Sequence, residues 1–172
     1  MFSNFTEEAR NIIVLSKQEM KKLKHPYVGS EHLLLAILKD DNNVSNTLKR
    51  YDLDYKKFKN ELINIVGVGS KESEWFLYTP LLKRVFETAI IDSKENNSDV
   101  TIENLFNALL EEGEGVAIRI LIGMNIDLDS LYKEYLQREG FSNSELENNI
   151  EEMIRDNIWQ YIPENKIFIK FE

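Results

Sequence analysis

The chain contains no cysteine, so neither a disulfide nor a thiolate-ligated metal site is open to it, and a reducing compartment suits it. Histidine occurs only twice, as His25 and His32. The Glu31-His32 pair has the residue types of a metal or acid–base site, but two histidines without spaced partners make a poor ligand set. No metal and no cofactor are expected. There is no G-x-S-x-G, no cysteine nucleophile and no Gly-rich phosphate loop, so the reading is of a protein that is not an enzyme. Basic residues are outnumbered, 21 against 30, for a net charge of −9, which argues against a nucleic-acid partner. No apolar run approaches the ~20 residues that cross a bilayer. The start, MFSNFTEEAR, lacks the apolar segment of a secretory signal. Together these absences predict a soluble cytoplasmic protein with neither membrane nor nucleic acid as partner.

What the sequence does contain, it contains twice. FTEEARNIIVLS (5–16) aligns with YTPLLKRVFETA (78–89). VGSEHLLLAIL (28–38) aligns with VTIENLFNALL (100–110), and YDLDYKKFKNEL (51–62) with MNIDLDSLYKEYL (124–136). The offset is nearly constant: Thr6 to Thr79 is 73 and Glu31 to Glu103 is 72. Agreement over three separated blocks implies one duplicated structural unit.

Each copy reads as helices. With three prolines in the chain, the segments run uninterrupted, and apolar residues recur at spacings of three and four. In the first segment the stripe is Phe5, Ala9, Ile12, Ile13, Ser16, Met20 and Leu23. Thr6 stands where an N-cap belongs, with Glu7 and Glu8 in the first turn. In the second copy Thr79 takes that place and Pro80 follows at the first helical position, where its missing N–H costs nothing. Further helices are predicted at about 30–39, 44–50 and 55–65, and again at about 103–112, 115–123 and 128–137. Between the copies, GVGSKESEWFL (67–77) reads as a connector, with residues 75–77 packing back on the body.

The C-terminal part departs from this pattern. FSNSELENNIEEMIRDNIWQYI (141–162) opens with Ser144 and Glu147 in capping-box spacing and continues as an amphipathic helix that Pro163 ends. KIFIKFE (166–172) alternates like a strand.

Two carboxylates then stand out. With Gly29 and Thr101 as N-caps, Glu31 and Glu103 fall in the first turns of equivalent helices. Charge–dipole complementarity alone accounts for such residues at roughly 0.3–1 kcal/mol each. Alternatively they form a symmetry-related pair of recognition sites. Helix N-termini hold anions on free N–H groups, and a carboxylate holds a guanidinium by paired charge-assisted hydrogen bonds. Such a site suits a ligand carrying a cation and an anion together.

FTEEA, VGSEHLLLAIL, YTPLLKRV and EEGEGVAIRIL (111–121) resemble the double-repeat N-terminal domain of the Clp chaperones, the AAA+ unfoldases that feed the Clp protease, and among them the ClpC type most. The resemblance covers about residues 2–137. It implies an all-α fold, a pseudo-twofold pair of four-helix repeats (repeat 1 about 2–66, repeat 2 about 76–137), with 138–172 as an extension holding the amphipathic helix and the short strand. It implies docking of adaptor proteins and protein substrates for ATP-dependent unfolding and proteolysis. It also implies recognition of phosphoarginine-marked proteins, with Glu31 and Glu103 on the guanidinium side and Thr6 and Thr79 on the phosphate side.

This sequence departs from a symmetric pattern in two places. KDDNNVS (39–45) stands opposite EEGEGVA (111–117), and His32 opposite Asn104, so the two sites are expected to differ. No G-x-x-x-x-G-K-[ST] occurs, so this chain carries no ATPase motif of the family. A second reading is a free-standing regulatory protein that competes for adaptors or partners through its C-terminal extension.

Overall fold

A computed structural model describes residues 2–136 of the chain. The predicted helix at 141–162 and the strand at 166–172 lie outside the described residues. Within them are eight helices: α1 (Glu7–Lys22), α2 (Ser30–Lys39), α3 (Asn43–Arg50), α4 (Tyr55–Val66), α5 (Pro80–Glu95), α6 (Ile102–Glu112), α7 (Val116–Gly123) and α8 (Leu128–Leu136). The only extended pairing among these residues is two isolated parallel bridges. The all-α expectation therefore holds, as does the order of four helices per repeat.

The helix starts follow the sequence closely. Thr6 and Thr79 each accept the N–H of the third residue on, Ala9 and Leu82, at 3.1 Å. Asp54 caps α4 in the same way at 2.9 Å. Helix ends carry the repeat symmetry too. Lys24, Asp52, Asn97 and Asn125 are the four non-glycine residues with positive φ among the described residues, between 52° and 60°. They pair at the same offset, 97 − 24 = 73 and 125 − 52 = 73. In each case the next N–H returns five residues to a helix carbonyl: His25 to Met20, Leu53 to Leu48, Ser98 to Ser93, Ile126 to Leu121. This closes the last turn in a Schellman arrangement.

Where the copies differ in sequence, the turns differ in chemistry. Between α6 and α7 the backbone turns on Gly113 (φ 66°) and Gly115 (φ 99°), conformations that glycine adopts without strain. Between α2 and α3 side chains take over. The Asn42 amide donates to the Ile37 carbonyl at 3.0 Å, its oxygen accepts the Ser45 N–H at 2.8 Å, and the Ser45 hydroxyl donates to the Asp40 carbonyl at 2.7 Å.

The first-helix stripe is core throughout: Phe5, Ala9, Ile12, Ile13, Ser16, Met20 and Leu23 are all buried. α1 packs chiefly on α2, and α5 on α6. The halves then interlock, because α2 also contacts α6 and α7, α1 contacts α6, and α3 contacts α6. One continuous apolar cluster results, running from Phe5 through Leu35, Phe58 and Phe86 to Tyr132. Across the halves, Glu134 on α8 accepts from Arg50 and Tyr51 at 2.9 and 2.8 Å.

The connector departs from expectation. Trp75, Phe76 and Leu77 are 68%, 44% and 46% exposed instead of packed on the body. They lie between exposed Glu74 and the bridge at Tyr78, where the chain runs along the surface. Upstream the connector is tied down: the Gly69 N–H donates to the Leu23 carbonyl at 2.8 Å.

Candidate functional site

The two bridges place the sequence-predicted residues in an arrangement that neither repeat contains alone. Phe5 bridges Val100, and Val28 bridges Tyr78. The Thr6 N–H donates to the Val100 carbonyl at 2.9 Å, and the Thr79 N–H to the Val28 carbonyl at 3.0 Å. Thr6, the start of α1, thus lies beside the segment that leads through Thr101 to Glu103 on α6. Thr79, the start of α5, lies beside the segment that leads through Gly29 to Glu31 on α2. Each cradle joins a threonine-capped helix mouth from one repeat to a carboxylate-bearing helix mouth from the other. Thr6 and Glu31 belong to the first repeat and Thr79 and Glu103 to the second, so the bridges bring each threonine beside the carboxylate-bearing segment of the other repeat.

Between the two cradles sits an aromatic cluster. Phe2, Phe5, Tyr78 and Phe86 meet edge to face, with ring centroids 5.1–6.5 Å apart, a favoured geometry for such rings. Tyr78 packs its ring in this cluster, and burial pushes its hydroxyl up to about 12.

Both carboxylates occupy the predicted first turns. Gly29 and Thr101 are the N-caps of α2 and α6. The third helical residue reaches back to the cap in both. His32 Nδ1 accepts the Gly29 N–H at 2.9 Å, and Asn104 Oδ1 accepts the Thr101 N–H at 2.9 Å. The two cradles nevertheless differ. Glu31 is 6% exposed, with Oε1 3.6 Å from His32 Nδ1. Glu103 is half-buried, and its Oε1 accepts from the Asn43 amide of the other repeat at 3.4 Å. The Asp40–Ser45 turn thus borders the Glu103 cradle, giving the KDDNNVS departure a location. Likewise Thr79 is buried while Thr6 is half-buried.

His32, whose pairing with Glu31 the sequence makes a poor candidate for a metal or acid–base site, is 2% exposed and bonds to His25 at 2.8 Å, Nε2 to Nδ1. Burial pushes His32 well below its ordinary range, and the neighbouring His25 adds to this; burial also lowers His25. Both rings are neutral at neutral pH. No group of three or more metal-ligating side chains occurs among the described residues. Sequence reasoning missed His25, Asn43 and the exchanged bridges. The signal for His25 was its position seven residues before His32, across a Pro-containing turn; for Asn43 there was none.

The acidic stretch Glu111, Glu112, Glu114 is partly engaged, since Glu112 pairs with Arg84 at 3.0 Å. No helix among the described residues is long and apolar enough to cross a membrane.

Comparison with known proteins agrees with the double-repeat architecture. The family described as the Clp repeat N-terminal domain matches residues 4–124. The chain is 31% identical over 147 residues to a chaperone protein ClpB of Oceanobacillus iheyensis, covering 84% of this chain and 18% of that one. It is 31% identical over 142 residues to the negative regulator of genetic competence ClpC/MecB of Bacillus subtilis, covering 81% of this chain and 18% of the relative. The chain thus spans about a fifth of the length of these relatives. Among solved structures, the N-terminal domain of the Clp protease-associated chaperone ClpD from Arabidopsis thaliana superposes with a TM-score of 0.66 at 24% identity, covering 80% of this chain and 99% of that one. The Hsp104 N-terminal domain from Candida albicans gives 0.64 at 17% identity, covering 77% and 89%. Duplicated helices, crossed bridges and these matches lead to one assignment: the chain belongs to the Clp repeat N-terminal domain family.

Proposed function

We propose that this chain is a docking domain that presents protein substrates and adaptors to a Clp-type ATP-driven unfoldase, and that its ligand class includes arginine-phosphorylated side chains. The observation that carries this reading is the pair of exchanged cradles. Each sets a first-turn carboxylate, Glu31 or Glu103, beside a helix mouth capped by Thr79 or Thr6. Phosphoarginine joins a guanidinium to a phosphate. The carboxylate suits the first by paired charge-assisted hydrogen bonds, and helix-mouth N–H groups suit the second. A phosphate alone would be repelled by the carboxylate, and an arginine alone would leave the helix mouth without an anion. The cradle favours the joined ligand over either part. Catalysis has no place in this reading, since the cradles hold and release.

Calorimetric titration with free phosphoarginine, against arginine plus phosphate, tests it. Selective binding at about two sites is expected, with the Glu103 cradle the tighter because its carboxylate is the more accessible. Glu31→Ala combined with Glu103→Ala abolishes binding and leaves helicity unchanged. If the double variant binds as its parent does, the carboxylates do not hold the ligand.

A further inference from the structure

The cradles differ most at the third helical residue. In the second repeat Asn104 closes the cap of α6. In the first, His32 closes the cap of α2 and extends it into a chain of bonds. The Gly29 N–H donates to His32 Nδ1 at 2.9 Å, so that nitrogen carries no proton and the ring proton sits on Nε2. His32 Nε2–H therefore donates to His25 Nδ1 at 2.8 Å. His25 in turn carries its proton on Nε2 and donates to the Gly67 carbonyl at 2.8 Å. One set of tautomers satisfies every bond, with both rings neutral. The groups facing the pair are Glu31 from α2, the Gly29 N–H ahead of it and the Gly67 carbonyl from the connector. Glu31 Oε1 stands 3.6 Å from the unprotonated His32 Nδ1.

We propose that His25 and His32 form a proton relay that positions Glu31, so that the first cradle responds to pH while the second, built on Asn104, does not. The ligand half of this inference rests on the docking function proposed above; the relay half does not. Both nitrogens of His25 are already bonded, so the pair takes up a proton only by rearranging. The Nε2 proton of His32 passes along the 2.8 Å bond to His25 Nδ1, and one proton from solvent arrives on His32 Nδ1. The net uptake is one proton. His25 becomes an imidazolium that donates to His32 and to Gly67, and His32 becomes the Nδ1–H tautomer. Gly29 loses its acceptor, loosening the mouth of α2. His32 now points a donor at Glu31 Oε1, which closes on the ring and is withdrawn from a guanidinium. The low exposure of His25 and His32, 7% and 2%, holds this rearrangement to acidic conditions, because burial disfavours the charged form.

Nitrogen-15 NMR of the full chain reads the relay without ligand. At neutral pH both rings show the Nε2–H tautomer, and on acidification His32 converts to Nδ1–H in the same transition that charges His25. His32 keeping its Nε2 proton while His25 titrates would overturn the relay. Phosphoarginine titrations of the single-carboxylate variants then read its effect. In Glu103→Ala, which keeps the first cradle, affinity falls about tenfold or more across that transition, as a shift of one pH unit in coupling would give. In Glu31→Ala, which keeps the second cradle, it stays nearly flat. His32→Asn, built on the Glu103→Ala background, flattens the first cradle's profile. Parallel pH profiles for the two cradles refute the proposal. A tautomer switch with no phosphoarginine binding at any pH refutes the docking function and the ligand half, and supports the relay half.

Discussion

Alanine at Gly69 would set a Cβ 1.8 Å from the carbonyl oxygen of Lys24 and 2.8 Å from its carbon. Non-bonded heavy atoms rest near ~3.5 Å, and the opposing atoms are backbone, held by the left-handed turn at Lys24. The connector therefore lifts by more than about 1 Å. Lifting breaks the 2.8 Å bond from the Gly69 N–H to Leu23, which costs ~1 kcal/mol. It also pulls on Gly67, whose carbonyl accepts from His25 at 2.8 Å, for about another 1 kcal/mol. A loss of ~2 kcal/mol lowers the melting temperature of a domain of this size by roughly 6–8 °C. Gly123 supplies the control. It ends α7 and has nothing within 4 Å of a built Cβ, so Gly123→Ala gains up to ~1 kcal/mol from helix propensity. Thermal melts followed by circular dichroism, run on both variants and the parent, should move in opposite directions. A Gly69→Ala protein that melts with its parent would mean that the connector is not docked on Leu23 and Lys24 in solution.

Three further perturbations probe the fold. Ile12→Asp buries a charge at a fully covered position. Because one core serves both repeats, its cost of more than ~4 kcal/mol should unfold the whole domain, not the first repeat alone; a two-step melt with α5–α8 intact would contradict the shared core. Tyr55→Phe removes the hydroxyl that donates to both oxygens of the buried Glu19 carboxylate at 3.0 and 2.9 Å, and urea unfolding should show a loss of about 1–3 kcal/mol; an unchanged midpoint would assign that carboxylate to Lys39, 3.3 Å away. The histidine pair sets the acid limb. Above the ordinary histidine pKa near ~6.5, folded and unfolded chains both hold neutral rings, so pH has no effect through them. Below it the unfolded chain binds protons that the native rings, lowered by burial, refuse. Stability then falls as pH falls, with a slope approaching ~2.7 kcal/mol per pH unit for two such groups. Melting temperatures that stay level between about pH 6.5 and 5 would show that the rings are not held neutral.

Helix placement was legible wherever local chemistry decides it. Thr6, Gly29, Thr79 and Thr101 are the caps that their sequence context predicts, and the α2 boundaries, 30 and 39, fall where the Gly29 signal and the apolar run place them. Repeat symmetry was legible because a constant offset survives divergence. What was not legible depends on pairing between halves. Nothing in residues 5 and 6 announces that their bridge partner lies at Val100 and not in their own repeat. The apolar triplet at 75–77 was misread because hydrophobicity gives an appetite for burial, not a neighbour to satisfy it. The histidine pair went unread for a related reason. The bond between His32 and His25 depends on the left-handed turn at Lys24, and that position has no glycine or asparagine to signal it.

The exchanged bridges make covalent continuity secondary. Residues 71–77 run between the halves without entering the core, whereas the contacts of α2 with α6 and α7, the two backbone bridges and the Arg50–Glu134 pair all cross from one half to the other. A protease that nicks the surface stretch around Ser73 leaves both fragments clasped, each completing the other's helix mouths. The duplication therefore behaves as a dimer whose subunits happen to share a chain, and the proposed recognition would belong to the pair: neither half carries a whole cradle to keep once they part.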